Sequence, residues 1–352
     1  MARPAPISRR RRRYSTGVPE LDGRVAALAA ETGLSPRDAE LVGEILTSAV
    51  LLGRDAASRL DLKIVNAALK EMRYAFKVFA PYRDTRKVSV FGSSRSRPGD
   101  ADYEQARRFG KTIAERGWMV VTGACPGSMQ AANEGAGKAQ SFGVNIRLPF
   151  EAEPNRIVAE DPKLINFKYF FTRKLMFIKE GSAFVLLPGG FGTLDEAFEL
   201  LTLMQTGKSD MHPIVLLDEP GGTYWSRLLS FVRDNLLSRG YVGEADLRLL
   251  RLTDDVEEAA DEITGFYSNY DSMRFVGQRL VLRVRRAPGP ARLAELSRRF
   301  SDIIVSGAIE ATGPLPAEVQ DEDVLDRERI VLHFDNASYG RLRELIDALN
   351  RP

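Results

Sequence analysis

Five short apolar runs alternate with five helical patterns between residues 87 and 238, and this alternation limits the fold more than any other feature of the sequence. The apolar runs are rich in β-branched residues, as are strands buried on both faces of a parallel sheet. They cover residues 88–91, 119–122, 144–148, 183–187 and 214–217. The helical patterns cover residues 103–116, 128–139, 166–180, 193–206 and 224–238. We therefore predict an α/β fold with a doubly wound, Rossmann-like parallel sheet, in which ligands bind where strand ends lead into helices.

Segments of a different character flank this alternating region. Two amphipathic patterns, at residues 35–52 and 56–79, predict N-terminal helices that pack on the main domain or on a second subunit. The C-terminal residues carry shorter strand and helix patterns, which predict a small α+β module. The sequence thus predicts four parts: a basic disordered tail at 1–34, a helical extension at 35–84, a Rossmann-like domain at 85–270 and the C-terminal module at 275–352.

The charge of the chain is nearly balanced but unevenly placed. The formal net charge is +2, yet Arg9 to Arg13 form an unbroken run of five arginines. Such a run can bind nucleic acid or anionic lipid, and it can equally be a solvated tail. One charge run is weak evidence for a nucleic-acid partner, so we favour the solvated tail.

Composition excludes several other classes of protein. No apolar segment of about 20 residues is present to span a membrane, and no apolar stretch follows the arginines as in an export signal. The single cysteine, Cys125, can form no intrachain disulfide, and only two histidines are present, which excludes a His-rich metal centre. We expect a cytoplasmic protein without a metal site or cofactor.

Three predicted strands end in loops of small residues that lead into helices. Small residues leave backbone N–H groups exposed at a helix N-terminus, where the helix dipole favours an anion. The patterns GxxxxGK[ST] and GxGxxG are both absent, so a mononucleotide fits better than a P-loop or dinucleotide ligand. The candidate binding residues in these loops and on the helix after the second loop are Gly92, Ser93, Gly123, Gly127, Met129, Asn133, Gly189, Gly190, Gly192 and Thr193.

Charged side chains near the third loop are candidates for chemistry. Arg173 and Lys174 lie on the helix before the strand that ends in PGGFGTLDE, and Glu196 ends that motif. We expect Glu196 in the first turn of its helix, facing a bound sugar. Thr193 and Glu196 also spell a capping box, in which the acid would bond to its own helix end instead. Met129 can line a nucleoside pocket or be a core residue, and Cys125 can be a nucleophile, although a small packing residue in a tight turn is the favoured interpretation.

The sequence TRKLMF followed by PGGFGTLDE resembles the paired signature of the LOG, or Lonely Guy, family of nucleoside 5′-monophosphate phosphoribohydrolases. TGACPGSMQAANEGA and FGSSR are similar to the family's earlier loops. The resemblance covers roughly residues 87–238, and the additional terminal segments are more like those of the longer bacterial nucleotide nucleosidases. Family members are often labelled lysine decarboxylases, a reaction for which only Lys174 offers any support here.

The resemblance implies hydrolysis of the N-glycosidic bond of a nucleoside monophosphate, AMP or a related nucleotide, to free base and ribose 5-phosphate. It implies that Arg173 and Glu196 are the catalytic pair, that Lys174 adds charge, and that the third loop binds the 5′-phosphate. It also implies a homodimer or higher homo-oligomer. Ala124, Cys125 and Gln130 depart from the family pattern, which leaves the base preference open. The alternative function is a nucleotide sensor or carrier that binds without cleaving.

Overall fold

The computed structural model describes residues 14–147 and 153–351, and contacts within the chain group it into two compact units. The first unit ends at Lys70 and the second begins at Glu71. The arginine run and Leu148, the last residue of the third predicted strand, lie outside the described residues.

The first unit is helical. It contains α1 (Pro19–Ala30), α2 (Pro36–Arg54) and the beginning of α3 (Arg59–Phe79). The Ser35 hydroxyl accepts a hydrogen bond from the N–H of Asp38, which gives α2 the N-terminal cap that its sequence predicts. Helix α1 lies within the segment predicted to be a disordered tail, so that prediction was wrong for residues 19–30. The helix is short and weakly patterned, but burial of Ala29 within the unit stabilises it.

The second unit contains a seven-stranded sheet in which every neighbouring pair is parallel. The order is β4-β3-β2-β1-β5-β6-β7, so the chain moves outward from β1 to β4 and then returns to the other side of β1. The order reverses between β1 and β5, which is where doubly wound sheets bind ligands. The strands are β1 (Lys87–Phe91), β2 (Met119–Thr122), β3 (Ser141–Ile146), β4 (Leu164–Phe167), β5 (Ala183–Leu186), β6 (Ile214–Leu217) and β7 (Leu250–Thr253).

Helices follow most of these strands, and the predicted doubly wound α/β fold is confirmed. They are α4 (Ala101–Glu115), α5 (Ser128–Ala136), α6 (Phe170–Glu180), α7 (Phe191–Gln205), α8 (Tyr224–Val232) and α9 (Val256–Phe266). The sequence analysis did not predict β4 and β7. Both are four-residue strands at the edges of the sheet and only partly buried, so neither forms a continuous apolar run.

The C-terminal residues form a second, antiparallel sheet in the order β10-β11-β9-β8, which confirms the predicted α+β module as a part of the fold. The fully buried carboxylate of Glu318 accepts a hydrogen bond from Arg283 Nη2 at 2.9 Å and lies 3.4 Å from Arg329 Nε. This pairing compensates for the cost of burying charge. The elements are β8 (Tyr270–Val276), β9 (Arg279–Val284), α10 (Pro290–Arg299), β10 (Ile304–Thr312), α11 (Pro316–Gln320), β11 (Glu328–Phe334) and α12 (Tyr339–Asn350).

Among the residues that the structure describes, no helix is both long enough and apolar enough to cross a bilayer.

Candidate active site

A cavity of about 640 Å³ opens where the strand order reverses, at the carboxyl ends of β1 and β5. The loops after β1, β2 and β5, the first turns of α5 and α6 and the first two turns of α7 form its wall. Among the predicted site residues, those that line it are Gly92, Ser93, Met129, Arg173, Gly189, Gly190, Gly192, Thr193 and Glu196. Four others are not part of the lining: Gly123, Gly127, Asn133 and Lys174.

The glycine loop after β5 forms the N-terminus of α7. Gly190 is the N-cap and provides no side-chain cap, and the first turn of the helix contains no acidic residue. A Cβ atom added to Gly190 or Gly192 would meet open space. The first N–H groups of an uncapped helix lack partners within the helix and attract negative charge. This end of the cavity can therefore bind a phosphate group.

Helix α7 begins at Phe191, and this start decides the role of Glu196 in the helix. Thr193 is the third helical residue and Glu196 the sixth, while the capping position belongs to Gly190. The capping-box alternative was therefore wrong, and so was the placement of Glu196 in the first turn. In the second turn, Glu196 is too far along the helix to bond to the N-cap, and its side chain contributes to the cavity wall.

The carboxyl group of Glu196 is almost completely buried, with 7% of the residue exposed. Burial raises its pKa from 4.5 to about 7, because a charged carboxylate loses its hydration inside the protein. Lys174 and Arg173 oppose this rise, whereas Glu199 and Asp195 add to it. Glu196 therefore exchanges its proton near neutral pH, as acid-base catalysts do.

Arg173 lies at the side of the cavity formed by α6. Its Nε donates to the backbone oxygen of Val144 at 2.9 Å, which fixes the guanidinium plane. A Cβ atom on Gly123 would lie 2.5 Å from Arg173 Nη2. Gly123 does not line the cavity. Its missing side chain instead makes room for the guanidinium group of Arg173.

Lys174 does not line the cavity and instead joins α6 to the acidic side of α7. Its Nζ lies 2.9 Å from Asp195 Oδ2, 3.6 Å from Glu196 Oε2 and 2.5 Å from Glu199 Oε2. Burial alone would lower its pKa, but the hydrogen bonds to Glu199 and Asp195 outweigh that effect and raise the pKa. Lys174 thus remains a cation that balances the carboxylates around Glu196.

Gly127 and Asn133, which follow β2, support the cavity without lining it. Gly127 has a φ of 75°, and a Cβ atom there would lie 2.2 Å from the backbone oxygen of Ser93. Only glycine allows this close packing of the loops after β1 and β2. Asn133, predicted to line the nucleoside pocket, is instead buried, and its Oδ1 accepts hydrogen bonds from Thr122 and Asn155. Met129 does line the cavity.

The sequence analysis missed several lining residues, most of them aromatic or charged. Phe191 is 93% exposed and lies between the loop glycines Gly190 and Gly192. Its position in the glycine loop could have marked it as a contact residue. The other lining residues that it did not predict are Phe91, Ser94, Arg95, Cys125, Phe170, Leu194 and Asp195. Cys125, for which the sequence also allows a packing role, is thus part of the cavity wall.

The sequence of the chain is similar to one protein-family model and to several known proteins. A family model described as "Possible lysine decarboxylase" matches residues 129–263. The cytokinin riboside 5′-monophosphate phosphoribohydrolase of Mycobacterium tuberculosis is 32% identical over 157 residues, which is 44% of this chain and 82% of that protein. A protein of the same name from Arabidopsis thaliana is 26% identical over 194 residues, 53% of this chain and 85% of that protein.

One further match is to a much longer protein, and another is to a solved structure of low similarity. A bifunctional cytokinin biosynthesis protein of Fusarium pseudograminearum is 28% identical over 203 residues, and the chain covers only 41% of its length. Among solved structures, the molybdenum cofactor binding protein of Rippkaea orientalis is 22% identical with a TM-score of 0.37. That match covers 51% of this chain and 96% of the other.

Proposed function

The chain belongs to the LOG family of phosphoribohydrolases, and from that premise we propose that it hydrolyses the N-glycosidic bond of nucleoside 5′-monophosphates, AMP or a related nucleotide. The products are the free base and ribose 5-phosphate. The observation that carries the proposal is that one cavity is lined by the uncapped end of α7, by Arg173 and by the buried Glu196.

We also propose a cytoplasmic location, since Cys125 can form no intrachain disulfide.

The 5′-phosphate binds at the glycine loop. Backbone N–H groups at the start of α7 donate to the phosphate oxygens, and the helix dipole adds to the attraction. The wall contains two cations, Arg95 and Arg173, of which Arg173 is held in place by Val144. A guanidinium group can make two parallel hydrogen bonds to a phosphate, or donate to the departing base.

The ribose then lies against the second turn of α7, where Glu196 is located. Cleavage of the C1′–N bond places positive charge on the sugar ring, and a carboxylate stabilises such an oxocarbenium-like transition state. The same group can accept a proton from the water that adds to C1′, while the base leaves with the bonding electron pair and gains a proton. A pKa of about 7 makes Glu196 available in the ionised form at neutral pH.

The label of lysine decarboxylase does not fit this site. Decarboxylation of amino acids commonly uses pyridoxal phosphate bound as a Schiff base to a lysine. Lys174, the lysine beside Arg173, does not line the cavity and is surrounded by three carboxylates that keep it protonated. A Schiff base requires the neutral amine, so we assign no cofactor chemistry to Lys174.

The proposal is tested by incubating the full chain with a panel of nucleoside monophosphates and measuring free base and ribose 5-phosphate. We expect release from at least one purine nucleotide. Glu196→Gln and Arg173→Ala should each lower the rate at least about a hundredfold, as expected for loss of transition-state stabilisation. Exposed residues of α4 provide matched controls, since Glu115→Gln and Arg107→Ala should retain the wild-type rate.

Two results would contradict the proposal. Turnover near the wild-type rate in either site variant would remove the catalytic assignment of that residue. Binding of nucleotides without release of base from any of them would indicate a nucleotide sensor or carrier.

A further inference from the structure

Tyr224, the first residue of α8, contacts the phosphate loop from outside the cavity. Its hydroxyl donates a hydrogen bond of 2.6 Å to the backbone oxygen of Gly189. Tyr224 is absent from the lining of the candidate active site and instead lines a neighbouring cavity, together with Pro188 and Leu194. Its hydroxyl therefore acts on the loop without touching the substrate.

The orientation of a peptide group is fixed when its carbonyl oxygen is held. In a trans peptide, the C=O of one residue and the N–H of the next point in opposite directions. The peptide bonds of the described residues are all trans. A hydrogen bond that holds the Gly189 oxygen toward Tyr224 therefore turns the Gly190 N–H away from Tyr224. Gly189 and Gly190 both line the candidate active site, so this orientation allows the Gly190 N–H to face the cavity.

The loop is held at a second carbonyl as well. The N–H of Ser93 donates to the backbone oxygen of Pro188 at 3.1 Å, which ties this peptide to the loop after β1. Two glycines follow Pro188, and two glycines in sequence have many accessible backbone conformations. The contacts from Ser93 and Tyr224 select one of them.

Tyr224 is itself rigidly placed. The backbone N–H of the next residue, Trp225, donates to Asp218 Oδ2 at 3.2 Å, which anchors the first turn of α8 to the end of β6. The indole of Trp225 is fully buried and meets the Tyr224 ring edge-on, with centroids 4.8 Å apart. Gln105 donates to the backbone oxygen of Asp218 and adds a third contact to this anchor. The phenol thus has little freedom to leave Gly189.

We infer that Tyr224 is a positioning residue for phosphate recognition, whose hydroxyl sets the Gly189–Gly190 peptide so that an N–H group faces the bound phosphate. The inference rests on the proposed function insofar as it takes the glycine loop to be the phosphate site. It adds a residue outside the PGGFGT motif, and from a different strand-helix unit, to the phosphate-binding apparatus.

The test compares ligands with and without a phosphate. The dissociation constants of ribose 5-phosphate and of adenosine are measured by calorimetry for wild type, Tyr224→Phe and Tyr241→Phe. The first variant removes one oxygen atom, and the second removes the same atom from a tyrosine that is 70% exposed. We expect Tyr224→Phe to bind ribose 5-phosphate roughly three- to tenfold more weakly, as for loss of one hydrogen bond, and adenosine unchanged. Tyr241→Phe should match wild type for both ligands.

Three outcomes would overturn the inference: no binding of ribose 5-phosphate by wild type, an unchanged constant in Tyr224→Phe, or equal weakening of both ligands. Steady-state kinetics with AMP adds an independent comparison, in which KM should rise more than kcat falls. Failure of the proposed function is distinguishable, because the binding measurement does not require turnover. A phosphate-dependent loss in a protein that releases no base would leave Tyr224 as a positioning residue of a binding protein.

Discussion

Glu196 occupies an environment that favours its neutral form and, at the same time, surrounds it with charge. Burial raises the pKa of its carboxyl group, while Lys174 at 3.6 Å and the neighbouring Arg173 lower it. The outcome, a pKa of about 7, lies where small changes in pH change the population of the carboxylate. Both the rate and the stability of the protein should therefore depend on pH through this one residue.

The rate of base release should rise with pH around neutrality. If the ionised carboxylate is the active form, kcat/KM increases as pH rises and levels off above a pKa near 7. The measurement is a pH profile of kcat/KM for AMP between pH 5 and 9. A rate that is constant across pH 6 to 8, or one that falls with pH in this range, would contradict the role given to Glu196.

The stability of the protein should change in the opposite direction. The folded state holds the proton of Glu196 up to a pH of about 7, whereas the unfolded chain releases it near 4.5. The stabilising contribution is complete below pH 4.5 and is lost as pH rises to 7, a loss of about 3 kcal/mol. Denaturant unfolding of wild type and Glu196→Gln at several pH values measures it. The variant should gain stability relative to wild type across this range, and a constant difference would disprove the buried, neutral state.

At the level of elements, the candidate site depends on how closely the loop after β2 approaches helix α6 and the loop after β1. Gly123 leaves space for the guanidinium of Arg173, and Gly127 allows contact with the backbone of Ser93. Neither glycine lines the cavity. Both were predicted from sequence as ligand contacts, and the structure indicates instead that they let Arg173 and the loop after β1 come close to the loop after β2.

Substitution of Gly123 by alanine should reproduce part of the effect of removing Arg173. The new Cβ atom would lie 2.5 Å from Arg173 Nη2, so the guanidinium must move. We expect base release to fall at least about tenfold, since small displacements of a catalytic group are costly. Gly265→Ala in α9 is the control, because a Cβ there meets no atom within 4 Å. Equal activity of Gly123→Ala and the control would contradict the packing argument.

At the level of the whole molecule, large apolar side chains remain exposed on the two helices that carry Arg173 and Glu196, the proposed catalytic pair. Phe171 and Leu175 lie on α6, and Phe198 lies on α7. Exposed apolar side chains on adjoining elements are typical of interaction surfaces. Together with the family resemblance, they support the expectation that two copies of the chain associate close to the cavity.

The expected dimer can be tested in solution. Light scattering during gel filtration should give at least twice the mass of the chain. Leu175→Glu should shift the protein toward monomer, because a carboxylate replaces an apolar contact. Phe231→Glu, which changes an apolar residue of similar exposure on α8, should keep the wild-type mass. A monomeric wild type, or dissociation by both substitutions alike, would rule out this surface as the interface.

The sequence by itself determined the class of fold and most of the site. Runs of β-branched residues alternate with helical periodicity, and these are local properties that the printed sequence shows directly. Glycine-rich strand ends likewise mark helix N-termini, which is why Gly189, Gly190, Gly192 and Thr193 could be assigned to one loop from sequence alone. The signature around Arg173 and Glu196 added the expected chemistry.

The tertiary structure decided what depends on distance between remote parts of the chain. The edge strands β4 and β7 are stabilised by pairing with neighbours rather than by their own short sequences, which polar residues interrupt. The start of α7 at Phe191 removed the capping alternative for Glu196. Burial set the pKa of that residue, and the contact of Tyr224 with Gly189 joins positions 35 residues apart. Solvation and long-range hydrogen bonds arise only once the chain is folded, so no local pattern could encode them.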